Sequence, residues 1–164
     1  MLPLFIQKRM IDISMLKYEK SRILPYTPKQ VFDLVADVES YPRFLPWCLR
    51  VKKLTKGKKS FLAEMEVGNN FFKETFISKD VLVSPTTRTP GKIEVFYKNG
   101  PFEYLNNHWI FHNYGKRRCK LVFFINIGMH KGLLGDMFSN VFFLAAEKLT
   151  LAFEKRARYL YSNS

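Results

Sequence analysis

The sequence has little cysteine and no motif typical of metal or phosphate binding. Its two cysteines, Cys48 and Cys119, stand far apart and in no metal-ligand spacing, which argues against a disulfide scaffold or a zinc site. It contains no glycine-rich phosphate loop and no dinucleotide fingerprint. No apolar run reaches the roughly 18 residues that a membrane-spanning helix needs. We therefore expect one globular domain with no metal and no catalytic cofactor.

Acidic residues are also scarce. The chain has 14 Asp and Glu against 27 Lys and Arg, and its net charge is +13. Such a surface favours anionic partners, either lipid head groups or nucleic acid, and a simple solvated basic face is the third interpretation. Two dense basic clusters stand out, Arg50, Lys52, Lys53, Lys56, Lys58 and Lys59 in the first and Lys116, Arg117, Arg118 and Lys120 in the second. We predict that the first cluster, together with Arg117 and Arg118 of the second, contacts anionic partners.

The longest periodic element is a helix predicted at Leu133–Tyr161, where apolar residues recur every three or four positions. At ~1.5 Å per residue this helix is roughly 43 Å long, and it needs a large apolar partner to be stable. Its first half is apolar nearly all round. We therefore predict that Phe143 and Leu144, outside the main stripe, contact a membrane or a partner; tight packing of this half on both the sheet and the short helices is the alternative.

Two short helices and seven strands are predicted before this helix. The first strand covers residues 15–24, one helix opens at Thr27-Pro28, and a second short helix covers residues 39–45. Later strands are predicted at residues 50–55, 60–67, 71–83, 92–97, 103–113 and 117–127. Hairpin-linked strands form an antiparallel sheet with one face free to bury, and the long helix is large enough to cover it.

The predicted fold is therefore α+β, with a seven-stranded antiparallel sheet curled around the C-terminal helix. One domain is expected over residues 15–164. Residues 1–14, apolar with Lys8 and Arg9, are predicted to be a short separate segment that is similar to a remnant of a targeting signal.

The two ends of the predicted sheet differ in character. Successive hairpin turns alternate between the ends, so the basic turns at 56–59 and 114–116 share one end. The loops at 68–71, 99–102 and 128–135 share the other end and are rich in Gly, Phe and Leu. We call this second end the mouth. Strand alternation also turns Asn107 inward, where we expect its amide to bond to the backbone or to water.

The order of elements resembles the helix-grip fold of START-like lipid carriers, plant allergens and polyketide cyclases. The run Tyr41-x-x-Phe44-x-Pro46-Trp47-Cys48 is similar to the opening signature of mitochondrial coenzyme Q-binding START-domain proteins. Gly100-Pro101-Phe102 and the ending Ala152-Phe153-Glu154-x-Arg156-Ala157 extend the resemblance over residues 15–161. Bacterial relatives in this group include ribosome-associated toxin-type proteins.

This resemblance implies a non-enzymatic binder of ubiquinone on the matrix side of the mitochondrial inner membrane. Such proteins deliver or position the quinone for respiration and for its biosynthesis, so respiratory or ubiquinone-biosynthetic complexes are implied partners. We expect a cavity between the sheet and the long helix that suits an apolar isoprenoid tail. The predicted ligand-binding residues are Trp47, Phe61, Ala63, Met65, Phe96, Tyr97, Phe102, Trp109, Phe111, Phe123, Phe138, Phe142, Ala145 and Leu149.

Two other functions remain open at this stage. The basic turns are compatible with binding to ribosomal RNA, but RNA recognition usually needs exposed aromatics among the cations, and the aromatics here are predicted to face inward. A cyclase-like enzyme would need a catalytic group. The candidates are a Cys119 pair with His108 or His112, whose strand parity is opposite to that of the cysteine, and Glu74, which shares the parity of Phe72 and Phe76.

Overall fold

The computed structural model of the protein describes residues 13–130 and 133–162, with side chains described for 15–130 and 136–162. The predicted N-terminal segment lies outside the described residues, apart from residues 13 and 14, which open the first strand. The strands are β1 Ile13–Leu24, β2 Cys48–Lys53, β3 Ser60–Gly68, β4 Lys73–Val83, β5 Gly91–Asn99, β6 Tyr104–Asn113 and β7 Cys119–His130. Helix α1 covers Pro28–Ala36, a 3-10 helix covers Val38–Arg43, and α2 covers Leu133–Tyr161.

The seven strands form a single antiparallel sheet in the order β1-β7-β6-β5-β4-β3-β2. The first strand therefore pairs with the last, and the six later strands follow one another as a meander. This arrangement confirms the predicted helix-grip fold. The sheet buries one face against the helices, and along each strand the buried residues alternate with more exposed ones.

The helices between β1 and β2 begin and end at residues whose local preferences can be recognised in the sequence. Thr27 caps α1, since its Oγ1 accepts the Gln30 N–H at 3.2 Å and its own N–H donates to Gln30 Oε1 at 3.0 Å. Pro28 occupies the first turn, where no backbone donor is needed. The second predicted helix is a 3-10 helix that contains Pro42. These elements close one end of the buried face of the sheet.

The C-terminal half of α2 is fixed by an aromatic cluster around Phe153. This residue is fully buried. Its ring lies 5.2 Å from Tyr41, 5.1 Å from Phe44 and 5.1 Å from Trp109 between centroids, all in edge-to-face geometry. The cluster joins α2 to β6 and to the 3-10 helix with its following turn. Arg22 of β1 and Glu154 add an ion pair beside it.

The mouth is shaped by a tight turn between β3 and β4. Strand β4 starts at Lys73 rather than at the predicted residue 71, because Asn69 Oδ1 accepts the N–H groups of Phe71 and Phe72 at 2.8 and 3.1 Å. Gly68 has a φ of 148°, and a Cβ added there would lie 2.0 Å from the carbonyl oxygen of Phe72. The turn therefore requires glycine at this position.

We predict that Gly68→Ala lowers the free energy of unfolding by about 2 kcal/mol or more, because strain and overlap act together. Urea denaturation monitored by tryptophan fluorescence measures the effect. Gly115→Ala is the matched control. Its φ is 88°, but the nearest atom to an added Cβ lies at 3.5 Å, so only the strain, about 1 kcal/mol, is expected. Equal losses in both variants would contradict the role given to Gly68.

Candidate ligand-binding cavity

A cavity with a volume of about 170 Å³ lies between the concave face of the sheet and α2. Its wall is formed by β3 to β7, the N-terminal half of α2, the end of α1 and the 3-10 helix with its following turn. At one end of the cavity the space between the sheet and the helices is filled by side chains. These are the cluster around Phe153 and the pair Phe32 and Phe111, whose ring centroids are 5.4 Å apart. The other end points to the mouth.

Eleven of the fourteen predicted ligand-binding residues lie on this wall. They are Trp47, Phe61, Ala63, Met65, Phe102, Trp109, Phe123, Phe138, Phe142, Ala145 and Leu149. Their contact with a ligand stays a prediction. The structure shows their arrangement: five of them alternate on one face of the strands, and the helical residues recur on one side of α2.

Three predicted wall residues lie elsewhere. Phe96 is on the outer face of β5 and is 47% exposed, because its strand parity is opposite to that of Ile93 and Val95. Tyr97 turns toward the β5–β6 turn, where its hydroxyl accepts the Phe102 N–H at 3.1 Å and its ring packs on Phe102. Phe111 is fully buried beneath α1, beyond the cavity.

Polar residues on the wall were not predicted as part of the site, and Asp80 is the most important. It is 4% exposed, and it is the single acidic residue on the wall within residues 15–130 and 136–162. Ser78 Oγ donates a hydrogen bond to Asp80 Oδ1 at 2.8 Å. Among the described residues no Lys or Arg forms an ion pair with it. Ser78 and Asp80 share the strand parity of Phe76, and this parity could have predicted from the sequence that both side chains face inward.

The surroundings of Asp80 disfavour its charged form. Burial raises the pKa of the Asp80 carboxyl from 3.8 to about 6, while the hydrogen bond from Ser78 and the positive charge of Lys53 act in the opposite direction. Burial likewise raises the pKa of Tyr41 well above its ordinary value, with Asp80 adding to the effect. Burial also raises the pKa of the Cys48 thiol to about 12. Tyr41 and Cys48 are therefore neutral groups at physiological pH.

Asn107 brings a further polar side chain to the wall from β6. Its Nδ2 donates to the backbone carbonyl of Phe124 at 2.7 Å, which is the kind of contact expected from the sequence. The wall thus combines a largely apolar surface with a few polar atoms, the pattern of a site that binds a lipophilic ligand with a polar group.

Three buried rings join α2 to the loops across the mouth. Phe138 of α2 lies 5.6 Å from Phe72 and 5.2 Å from Phe102 between ring centroids. Next to them Phe71 is 87% exposed. The side chains of Leu133 and Leu134, which belong to the predicted mouth loop at 128–135, lie outside the described ones. A ligand that leaves the cavity between these rings would have to part their contacts.

Most of the predicted anionic contact residues are exposed on or near the turns at the end opposite the mouth. These are Lys52, Lys56, Lys58, Lys59, Arg117 and Arg118. Arg50 is also exposed but lies nearer the mouth, because it pairs in the sheet with Glu66 close to the end of β3 at Gly68. Its side chain forms an ion pair with Glu64 at 3.1 Å. Lys53 departs from the prediction, since it is half-buried and its Nζ lies 4.3 Å from the centroid of the Phe61 ring, over the cavity wall. Phe143 and Leu144 are 48% and 60% exposed on the outer side of α2.

The residues considered for catalysis are not brought together. His108 stacks on Phe124 on the outer face of the sheet, 4.8 Å between centroids, whereas Cys119 is fully buried on the inner face. Glu74 is half-buried and is not on the cavity wall. Over the part of the chain that the structure describes, no cluster of three His, Cys, Asp or Glu residues is arranged to hold a metal ion.

This architecture, an internal cavity between a curled antiparallel sheet and a long C-terminal helix, defines the class of START-like helix-grip domains. Residues 24–154 match the family described as polyketide cyclase / dehydrase and lipid transport, and the chain belongs to that family. Within residues 13–130 and 133–162, no helix combines the length and apolar character needed to cross a membrane.

Two kinds of relative share nearly the whole domain. Ribosome association toxin RatA of Rickettsia prowazekii is 38% identical over 146 residues, which are 88% of this chain and 97% of that protein. The mitochondrial coenzyme Q-binding protein COQ10 of Dictyostelium discoideum is 31% identical over 159 residues, covering 89% of this chain and 71% of that protein. The solution structure of the 18 kDa protein CC1736 from Caulobacter crescentus is 32% identical with a TM-score of 0.69, covering 90% of this chain and 99% of that one.

The raised pKa of Asp80 predicts a pH-dependent effect on stability. Folding favours the neutral form of Asp80. The contribution of this carboxyl to the free energy of unfolding is therefore fully present below pH 3.8 and is lost as the pH rises through about 6. The pKa difference corresponds to roughly 3 kcal/mol. Asp80→Asn should therefore be more stable than the wild type by up to about 3 kcal/mol at pH 8, with a much smaller difference at pH 4.

Urea denaturation at the two pH values measures this difference. Ser78→Ala is the companion variant, because it removes a hydrogen bond that favours the ionised carboxyl. It should make the loss of stability with rising pH larger. A difference between Asp80→Asn and the wild type that does not change with pH would contradict the assignment.

Proposed function

We propose that this protein is a non-enzymatic carrier that binds ubiquinone in the cavity between the sheet and α2. The observation that carries the proposal is the largely apolar cavity with a small polar group, Asp80 with Ser78 and Asn107, in its interior. Ubiquinone likewise combines a long apolar tail with a ring that carries polar oxygens. The similarity to COQ10 of Dictyostelium discoideum, whose name includes coenzyme Q binding, supports this choice of ligand.

The size of the cavity favours a particular mode of occupation. A volume of about 170 Å³ is comparable to a cavity that holds one aromatic ring, and it is below the roughly 300 Å³ of an ordinary ligand pocket. A quinone ring and the first part of its tail are therefore the portion that fits. The remaining tail would leave through the mouth, between Phe72, Phe102 and Phe138, once their contacts part.

The wall chemistry favours binding over catalysis. Its described residues include one carboxyl and no histidine, so a general acid and a general base are not paired there. The thiol of Cys48, with its pKa raised to about 12, is a poor nucleophile. We therefore propose a binding role without a catalytic cofactor rather than the cyclase-like activity.

The carrier would take up and release quinone at a membrane. Phe71 at the mouth and Phe143 and Leu144 on α2 are large apolar side chains exposed to solvent, which suit shallow insertion among lipids. The basic turns would add attraction to anionic head groups. The proposed location is the matrix side of the mitochondrial inner membrane, where the quinone would pass to respiratory or ubiquinone-biosynthetic complexes. The mitochondrial name of the COQ10 relative supports this location.

The first test is organic extraction of the purified protein followed by mass spectrometry. We expect ubiquinone in near-stoichiometric amount. Ala145→Phe should reduce the recovered quinone at least several-fold, because the added ring occupies the cavity beside Leu149. Lys148→Phe, which adds the same ring at an exposed position on α2, is the matched control and should leave recovery unchanged. A folded wild-type protein that carries no quinone and takes up none would refute the proposal.

Membrane contact can be tested separately. We expect that the double variant Phe143→Ser and Leu144→Ser binds several-fold less to liposomes containing anionic lipid, because two exposed apolar side chains are lost. Co-flotation with liposomes measures the bound fraction. Tyr159→Ser removes a ring that is 77% exposed near the other end of α2 and serves as the control. Unchanged flotation of a folded double variant would remove these residues from the membrane contact.

Ribosome association is the second candidate function. It is favoured by the 38% identity to RatA of Rickettsia prowazekii and by the exposed cations of the two basic turns. Salt-dependent sedimentation with ribosomes by protein that carries no lipid would favour this function over the first.

A further inference from the structure

Asp80 and Asn107 lie on one row of residues that crosses the floor of the cavity. Asp80 of β4 pairs with Val95 of β5, and Val95 pairs with Asn107 of β6. All three residues line the cavity. Because neighbouring strands are about 4.8 Å apart, the backbones of Asp80 and Asn107 are separated by about 10 Å. Two hydrogen-bonding side chains therefore flank one valine inside an otherwise apolar space.

Each of these side chains retains a hydrogen-bonding group that the fold does not use. Ser78 Oγ reaches Oδ1 of Asp80, and no hydrogen bond from the described residues reaches Oδ2. One N–H of Asn107 Nδ2 donates to the carbonyl of Phe124, and the second N–H donates no hydrogen bond to the described residues. A carboxyl that is 4% exposed and without an ion pair is costly for the fold, since an apolar side chain would fill the same place.

The position along the cavity is also informative. Asp80 is seven residues from the start of β4 at Lys73, which places it about 23 Å from the mouth end of that strand. Between the two lie Ser78 and Phe76, both on the wall. A ligand whose polar group reaches Asp80 therefore directs its apolar part past Phe76 to the mouth.

We propose that Asp80 and Asn107 bind the ring of the quinone, which lies head-inward over Val95 with its tail directed to the mouth. Protonated Asp80 donates its O–H to one ring carbonyl, and Asn107 donates its free N–H toward the opposite carbonyl. This inference rests on the proposed function, because it assigns the orientation of that same ligand.

The same geometry distinguishes the two redox forms of the ligand. The carbonyl oxygens of a quinone only accept hydrogen bonds, whereas the hydroxyl groups of the reduced quinol also donate them. Neutral Asp80 can therefore donate to the quinone, whereas ionised Asp80 only accepts and favours the quinol.

The groups that face Asp80 determine its response to pH. Lys53 of β2 contributes a positive charge, and Tyr41 of the 3-10 helix and Cys48 contribute neutral groups. From β3 and β5 the paired residues are Phe61 and Val95, which do not titrate. A ligand that displaces water from the cavity increases the burial that already raises the pKa of Asp80 to about 6. Quinone binding should therefore weaken as the pH rises above this value.

The test compares two probes that share a decyl tail on a six-membered ring and differ in the ring substituents, namely the carbonyl, methoxy and methyl groups of the quinone. Decyl-ubiquinone presents the carbonyls, whereas decylbenzene presents an aromatic ring of similar shape and the same tail without acceptors. Quenching of Trp47 and Trp109, both on the cavity wall, follows the quinone, and competition with a fluorescent fatty acid follows decylbenzene. Asp80→Leu should bind decyl-ubiquinone about five- to tenfold more weakly and should bind decylbenzene no more weakly than the wild type.

Asp80→Asn provides the second variant, because its amide remains a donor and does not titrate. It should keep most of the affinity for decyl-ubiquinone and lose the dependence on pH between 5.5 and 8, whereas the wild type should bind more weakly at pH 8. Phe76→Leu is the matched control nearer to the mouth. It should weaken both probes by the same factor, since it contacts the tail.

The outcomes separate this inference from the function on which it rests. Equal loss of both probes in Asp80→Leu, or an unchanged affinity for decyl-ubiquinone, would overturn the head-inward orientation while leaving quinone binding intact. Wild-type protein that binds decylbenzene but not decyl-ubiquinone would refute the proposed function, and the inference would fail with it.

Discussion

The packing of three aromatic rings on Phe153 is the constraint on which the cavity depends. Tyr41, Phe44 and Trp109 meet this ring from the 3-10 helix, its following turn and the sheet. The C-terminal half of α2 is consequently held close to the other elements. A long helix fixed at one end against a curled sheet does not follow the curvature of the sheet along its whole length. The N-terminal half therefore stands over a space that side chains only partly fill.

The residues of that N-terminal half suit this arrangement. Ala145 and Ala146 leave room over the middle of the sheet, and Phe142 and Phe138 come close to the loops nearer the mouth. Small residues thus line the cavity near the middle of α2, and large ones lie toward the rim. In the interior, Asp80 and Ser78 place a polar group where a tightly packed core would have an aliphatic one. The protein gives up some stability there, as proteins commonly do at sites that contact a ligand.

The sequence was sufficient for the fold because each element has an independent local signal. The uninterrupted stripe of α2 predicts its bounds at Leu133–Tyr161, and Thr27 with Pro28 fixes the start of α1. Most wall residues followed from alternation along the strands. Alternation failed at Tyr97, whose ring is drawn to the β5–β6 turn by its hydrogen bond to Phe102. Asp80 was missed for a different reason. A charged residue on a strand is ordinarily assigned to solvent, and only the parity that begins at Phe72 and Phe76 shows that β4 turns this carboxyl inward.

The meander also separates charge from the mouth. The turns at 54–59 and 114–118 carry the dense cations, and they lie at the opposite end of the sheet from the β3–β4 and β5–β6 turns. With strands of 9 to 12 residues in β3, β4 and β7, the two ends are roughly 30 Å apart. The molecule is therefore electrically polar along the axis of its own cavity. An anionic surface therefore attracts the molecule by its cationic pole, and insertion of Phe71 at the entrance needs a second orientation in which the mouth has turned toward the lipids.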